Sequence, residues 1–554
     1  MGIKTYLSAA LLLAFVPALI PAQARGMEDC SSDLSNEGFF NCLVSTKTSE
    51  YKVNNLILAL DTKFKQLPSC ASINQQLKKF LTAVKSLREQ QQDSDKVIVS
   101  MMPNTVKKDV NLDLKLSTLS AADIFRMRFS VSPVAKEYYY LFREAGETAN
   151  ASSNRPVLSI EFDTTKTKEY LKSSASSSIG TVVTKSKTYS YTTDPILKLE
   201  YNILSFQNIF ATKALRETQQ SAYFTFINQA VTDSLDTVSD FYDFKANVLS
   251  TLIYSAHYQA ALERVNHLKR LETAGLNSVL DVSRANVTVV KQSSSLLDSK
   301  SLLAQSYQKL MGDLLFNDTP YFDVSFSPYH IEAACWSLPP SNSIARALET
   351  NSSLNSLRHS IKSSRLSKTS ILSGNLPELS LGFAYSTNNT WGNINGTGFN
   401  GDYSQAQDAA ASAAISWNIF DFGQTFANAK SQEFFTDSLE SQLLQGVTQL
   451  ESDLLVYFIQ YLTNTSNLMK LVNGSSKATA NYLNTLKGSQ AGFLTQTDVD
   501  NVFDQLISLN TDLLESIKGR NEAAVNIAKL VQSEGLDNMN FDQFLQDWKN
   551  TFPK

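Results

Sequence analysis

Pro377-Glu-Leu-Ser-Leu-Gly-Phe383, continuing through Ala384, Tyr385 and Ser386, is the stretch that decides the fold. Leu379, Leu381, Phe383 and Tyr385 alternate with Ser380, Gly382, Ala384 and Ser386, the period-two pattern of a strand whose two faces meet different solvents. Pro156-Val-Leu-Ser-Ile-Glu-Phe162 repeats it 221 residues upstream (377 − 156), with Leu158, Ile160 and Phe162 set against Ser159, Glu161 and Asp163. Two more pairs follow in the same order. Leu199-Glu-Tyr-Asn-Ile-Leu-Ser-Phe206 returns as Ile415-Ser-Trp-Asn-Ile-Phe-Asp-Phe422, 216 residues on (415 − 199). Ala274-Gly275 with Asp281-Val282 returns as Ala491-Gly492 with Asp498-Val499, 217 residues on (491 − 274). Three collinear matches predict a tandem duplication.

Each copy reads as a helix, a strand hairpin, a long helix, a turn and a returning helix. The opening helices fall at Ser120–Ala149 and Ser343–Ser373. Leu197, Leu199, Tyr201 and Ile203, alternating with Lys198, Glu200 and Asn202, supply the second strand of the first hairpin. A Gly/Asn/Thr-rich stretch, Thr387–Asp408, reads as the polar loop of the second. Strands of about 9–11 residues cross a bilayer at a tilt, and Tyr201, Phe206, Trp417 and Phe422 stand at their ends, where membrane-interface aromatics belong. From Ile196 to Ala274 there is neither Gly nor Pro. Phe435, Leu439, Leu443, Val447, Leu450, Leu454, Phe458 and Leu462 recur in steps of three and four. Helices of about 65 residues, about 100 Å at 1.5 Å per residue, follow from that spacing. Gly275 and Gly492 then punctuate, and returning helices begin near Asn277 and Gln496.

The divisions read as a signal peptide over 1–24, an N-terminal extension over 25–118, repeats over 119–313 and 342–534, a proline-rich connector over 314–341, and a tail over 535–554. Lys4, the apolar run Leu7–Ile20 and Ala22-Gln23-Ala24 form an export signal with cleavage expected after Ala24. The chain has 554 residues, 49 Lys+Arg against 53 Asp+Glu, and a net charge of −4, a poor balance for neutralising nucleic-acid phosphates. Four His and four Cys carry no zinc, P-loop or serine-hydrolase signature, so the expectation is no enzyme, no metal and no cofactor. Export permits disulfides; Cys30–Cys42 is a plausible pair, but pairing is not legible from spacing. Four strands cannot close a barrel, and open edges in lipid cost several kcal/mol per unpaired group, so membranous strands require oligomerisation. The alternative reading is an exported periplasmic helical-bundle protein, binding partners without crossing lipid.

The Pro-x-Leu-Ser-Leu-x-Phe strand at Pro377–Phe383, the strand-to-helix corner Ser416-Trp-Asn-Ile-Phe-Asp-Phe-Gly423, the Gly-x5-Asp-Val hairpin tips at Gly275 and Gly492, and the repetition itself resemble the TolC-type outer-membrane efflux proteins over about 119–534. The resemblance implies an α+β membrane protein. Three chains would give a twelve-stranded β-barrel, four strands from each, continued by a long α-helical barrel in the periplasm. It implies a passive exit channel for efflux or type I secretion, docked with a periplasmic adaptor protein and an inner-membrane transporter. It also implies a periplasmic gate: Asp498 stands at the position of the family's acidic constriction, with Asp500 beside it and Asn501 where a second acid often lies. Gly275 and Gly492 would mark the adaptor-docking tips. The family's Arg four residues before the tip glycine is replaced by Leu271 and Gly488. Asp281, in a helix's first turn, complements the helix dipole.

Overall fold

The computed structural model describes residues 49–86, 119–153, 155–177, 180–314, 333–392, 402–533 and 536–537. Two helices, α1 (Ser49–Lys65) and α2 (Cys70–Ser86), precede a series that runs twice. The first pass is α3 (Ala121–Val131), α4 (Pro133–Ala151), β1 (Val157–Ser177), β2 (Gly180–Leu204), α5 (Phe206–Thr273) and α6 (Val279–Asp313). The second is α7 (Pro340–Thr350), α8 (Ser352–Ser373), β3 (Glu378–Gly392), β4 (Asp402–Ser416), α9 (Gln424–Gln490) and α10 (Gln496–Val531). The expected long helices are present, α5 with 68 residues and α9 with 67.

Two expectations need correcting. Each opening helix is a pair, broken at Ser132 in one pass and Asn351 in the other. Ser132 precedes Pro133, whose ring disfavours helical geometry in the residue before it. The strands are also longer than the expected 9–11 residues: 21, 25, 15 and 15. The stretch expected as loop, Thr387–Asp408, is strand up to Gly392 and again from Asp402. Polar Thr, Asn, Ser and Gln occupy both faces there and carry no hydrophobic alternation to read.

The chain forms two compact units, each drawing on both passes. One holds residues 133–230 and 352–447, with the four strands in antiparallel order β1-β2-β3-β4. Hydroxyls join its helices closely: Ser221 lies 2.9 Å from both Ser356 and Ser360, Thr225 2.8 Å from Ser356, and Ser364 2.8 Å from Thr436. Small hydroxyl side chains let the helix backbones approach while satisfying one another, which accounts for some of the serine and threonine abundance in the sequence.

The other unit holds the rest of the described chain, and its core gathers α2, α5, α9 and α10. Ile73, Leu77 and Phe80 of α2 pack among Leu249, Ile253, Leu468, Phe503 and Leu513. The described part of the N-terminal extension therefore belongs to this core. A disulfide joins Cys70 to Cys335 (Cα–Cα 6.1 Å), while the Asn74 and Asp61 carboxamide and carboxylate oxygens accept from the Ala333 and Ser341 amides. Cys30 and Cys42 lie outside the described residues. The Cys70–Cys335 bond closes 265 residues, and its removal in Cys70→Ser/Cys335→Ser is expected to cost about 2–5 kcal/mol, read as a lower melting temperature than the parent under non-reducing conditions.

His257 of α5 lies 1% exposed in this core, its Nε2 accepting from Asn510 Nδ2 at 2.9 Å and its ring 6.0 Å from Phe503. Burial lowers its pKa from 6.5 to about 4. The unfolded chain then binds the extra proton first. Stability should fall as pH drops from about 6.5 to about 4, by about 3 kcal/mol, and level off below. Melting temperatures across that range should show the slope, and His257→Gln, which keeps an acceptor for Asn510, should flatten it.

Candidate functional site

Strand register puts the apolar residues of all four strands on one face. Leu158 pairs with Leu199, Leu199 with Phe383, and Phe383 with Ala411; Ile160, Leu197, Tyr385 and Ala409 form the next row. Tyr201, Leu381 and Ala413 lie on the same face, as do Leu204, Leu379 and Ile415 past an irregularity at Asn202/Leu204. The opposite face carries Ser159, Lys198, Ala384 and Ala410, and Asn202, Ser380 and Ala414. There Lys198 Nζ donates to Glu161 Oε2 at 2.6 Å. The apolar face is exposed, including Phe383, Leu381 and Ile415. A soluble hairpin has no reason to display such a surface.

Aromatic rings bound that face at both ends. Tyr191, Trp391 and Tyr403 stand in one register row, with ring centroids 6.2 and 5.5 Å apart. Ten residues along the strands separate this row from Tyr201–Leu381–Ala413. That is about 34 Å of strand, and about 25 Å along the axis at a tilt of about 40°, the height of the apolar band on membrane barrels. Among the four aromatics expected at strand ends, Tyr201 is in β2 and Phe206 is the first residue of α5. Trp417 directly follows β4, its Nε1 donating to the Asn375 carbonyl at 3.0 Å. Phe422 is 91% exposed at φ 53°, followed by Gly423 at φ 85°. The Asp421 carboxylate receives the Gly423 and Thr425 amides at 3.1 and 2.8 Å, fixing this corner as the start of α9. The upper row of Tyr191, Trp391 and Tyr403 was missed in the sequence, although each continues the parity of Tyr201, Leu381 or Ala413 ten residues away. Among the described residues no helix is long and apolar enough to cross a membrane.

The hairpin turns are alike. Gly275 has φ 72° and Gly492 φ 81°. The Leu276 amide donates to the Leu271 carbonyl and the Phe493 amide to the Gly488 carbonyl, each at 2.9 Å. A Cβ at either glycine would meet nothing within 4 Å, so the left-handed backbone alone selects glycine. Gly492→Ala should therefore cost about 1–2 kcal/mol without a clash, measurable as a drop in melting temperature. Ser278 and Thr495 cap the returning helices, and Leu276, Val279, Leu280, Phe493 and Leu494 are exposed around the two turns.

The three acidic-gate candidates separate. Asp498 is exposed and completes a capping box: its Oδ2 accepts from the Thr495 amide at 2.9 Å and hydroxyl at 2.6 Å. Those bonds, the hydroxyl's first, hold its carboxyl below the usual range. Asn501, one turn on, is also exposed. Asp500 instead faces α5, where Nη2 of Arg264 pairs with its Oδ1; the Arg264 side chain is 3% exposed and that of Asp500 34%. The Gln496 amide, turned to accept, receives Nε and Nη2 of Arg264 at 2.5 Å. Arg264 thus ties α5 to the first turn of α10. No local sequence signal marks this contact between residues 236 apart (500 − 264). Asp281 lies in the first turn of α6, 3.9 Å from Arg284, as a dipole-complementing acid should.

No family model and no curated protein matches the sequence. Solved structures do. The outer-membrane channel OprN superposes with a TM-score of 0.58 at 14% identity, over 78% of this chain and 95% of its own. CusC, described in terms of transmembrane channel formation, gives 0.60 at 11%, over 78% and 99%. The CmeC outer membrane channel of Campylobacter jejuni gives 0.58 at 11%, over 80% and 97%. The chain has the outer-membrane channel fold. In that fold the apolar sheet face and its two aromatic rows are the features of a membrane-crossing surface, and the helix hairpins with their glycine turns lie in the other unit. The resemblance read from Pro377–Phe383 and the hairpin tips pointed to the same architecture.

Proposed function

We propose that this chain is a passive outer-membrane exit channel of a tripartite efflux or type I secretion system. Three copies close a barrel from twelve strands, with the helical part in the periplasm docked to an adaptor protein and an inner-membrane transporter. The observation that carries the reading is the sheet itself: one continuous apolar face, bounded by aromatics about 25 Å apart, on four strands whose outer members β1 and β4 pair on one side only among the described residues. Lipid leaves such edges no hydrogen-bond partner except another copy. The helix-hairpin end serves as the gate. Arg264 with Asp500 and Gln496 acts as its latch within each chain, and the exposed Asp498 and Asn501 line the mouth. Gly275 and Gly492, with the apolar residues around them, form the docking tips.

Purified protein should run as a trimer on native gels, fractionate with outer membranes and conduct ions in planar bilayers. A monomer in detergent-free buffer, without conductance, would end this reading and restore the exported helical bundle.

A further inference from the structure

Above the Tyr191–Trp391–Tyr403 row the hairpin of β1 and β2 continues alone. The β2–β3 ladder ends at Ser190 opposite Gly392, whereas β1 and β2 stay paired to Ser177 opposite Gly180. The strand register assigns the residues of this ribbon to its two faces. On the face shared with Leu158 and Leu199, the successive rows are Lys166 with Tyr191, Lys168 with Tyr189, Tyr170 with Lys187, and Lys172 with Lys185. Over 164–177 and 180–191 that face holds five lysine positions and no acid; the other face holds Glu169 as its one charged position. A free two-stranded ribbon is marginal in water, and this one carries its basic face directly above the apolar band.

We propose that the outward face of the β1–β2 ribbon, Lys166, Lys168, Lys172, Lys185 and Lys187 with Tyr170 and Tyr189 between them, binds the phosphorylated headgroup of a membrane glycolipid. The inference rests on the reading of the sheet as a membrane barrel. Height selects the lipid. Lys166 to Lys172 spans about 20 Å of strand, and about 15 Å along the axis after tilt. The interfacial layer of an ordinary bilayer is about 5–8 Å deep on each side. A phospholipid headgroup would reach the lowest lysines alone, whereas a multiply phosphorylated sugar headgroup would meet all five. Each lysine near an anionic surface strengthens binding several-fold, and salt weakens it.

The test reconstitutes the purified channel in phosphatidylcholine vesicles containing a phosphorylated glycolipid, the same glycolipid after enzymatic dephosphorylation, or phosphatidylglycerol. Bound lipid is counted by native mass spectrometry, and conductance is recorded from the same preparations. The parent is expected to retain the phosphorylated glycolipid at least about tenfold over the other two. K166Q/K168Q/K172Q/K185Q/K187Q should lose that preference with its conductance unchanged, and Lys198→Gln, on the opposite face, should keep it. Equal retention of the phosphorylated and dephosphorylated forms, or of phosphatidylglycerol, by a conducting parent overturns the inference and leaves the channel standing. A quintuple variant that binds like the parent overturns it too. Protein that conducts in no vesicle overturns the channel reading itself.

Discussion

Arg264→Ala should leave the channel open for far longer than the parent, with the ratio of open to closed dwell time in planar bilayers rising about 30-fold. Removing one member of a buried ion pair costs about 3–5 kcal/mol. The Asp500 side chain is 34% exposed, so water recovers part of that cost, leaving about 2 kcal/mol, which is about 30-fold in an equilibrium. The loss falls where α5 meets the first turn of α10, and Gln496 loses its donor in the same step. Asp500→Asn keeps an acceptor of the same shape and removes only the charge, so its rise should be smaller. Unchanged dwell times in a properly assembled Arg264→Ala trimer would make the pair a structural tie, leaving Asp498 and Asn501 as the remaining gate candidates.

Phe383→Arg should abolish the assembled channel. Phe383 sits at the centre of the apolar face, between Leu199 and Ala411 and midway between the aromatic rows. An arginine at the bilayer midplane costs about 2–4 kcal/mol per copy, and a trimer carries three. Ala384→Arg moves the same charge one residue along the strand, onto the face shared with Lys198, and should assemble and conduct. Comparison of the two variants by native gel and conductance reads the orientation of the sheet directly. Equal tolerance of both would place the sheet in water.

Much of this architecture was legible in the sequence where burial in one solvent and exposure to another imposed a period. β3 could be read from Leu379 to Tyr385 because leucine and aromatic residues alternate with small polar ones. The long helices were legible from their apolar spacing and the absence of glycine, and the turns from Gly275 and Gly492. β4 was harder: Ala409, Ala410 and Ala411 put nearly the same side chain on both faces, so its start was taken for loop. The upper half of the β1–β2 hairpin alternates lysine and tyrosine with threonine and serine, a contrast of charge that a search for hydrophobic alternation does not register. The break at Ser132 was present in the sequence as Pro133 and was overridden by the helical spacing around it. Contacts such as Arg264 with Asp500 and Cys70 with Cys335 join residues more than 230 positions apart, and nothing local to either partner encodes them.

The covalent link between α2 and the segment before α7 has a consequence for biogenesis. A chain exported amino terminus first presents Cys30, Cys42 and Cys70 to an oxidising compartment long before Cys335 arrives. Closing a short loop costs less entropy than closing one of 265 residues, so early oxidation favours Cys42 as the partner of Cys70. Maturation then depends on thiol exchange that undoes this premature bond, and a host lacking a disulfide isomerase should accumulate misoxidised subunits that never reach the membrane.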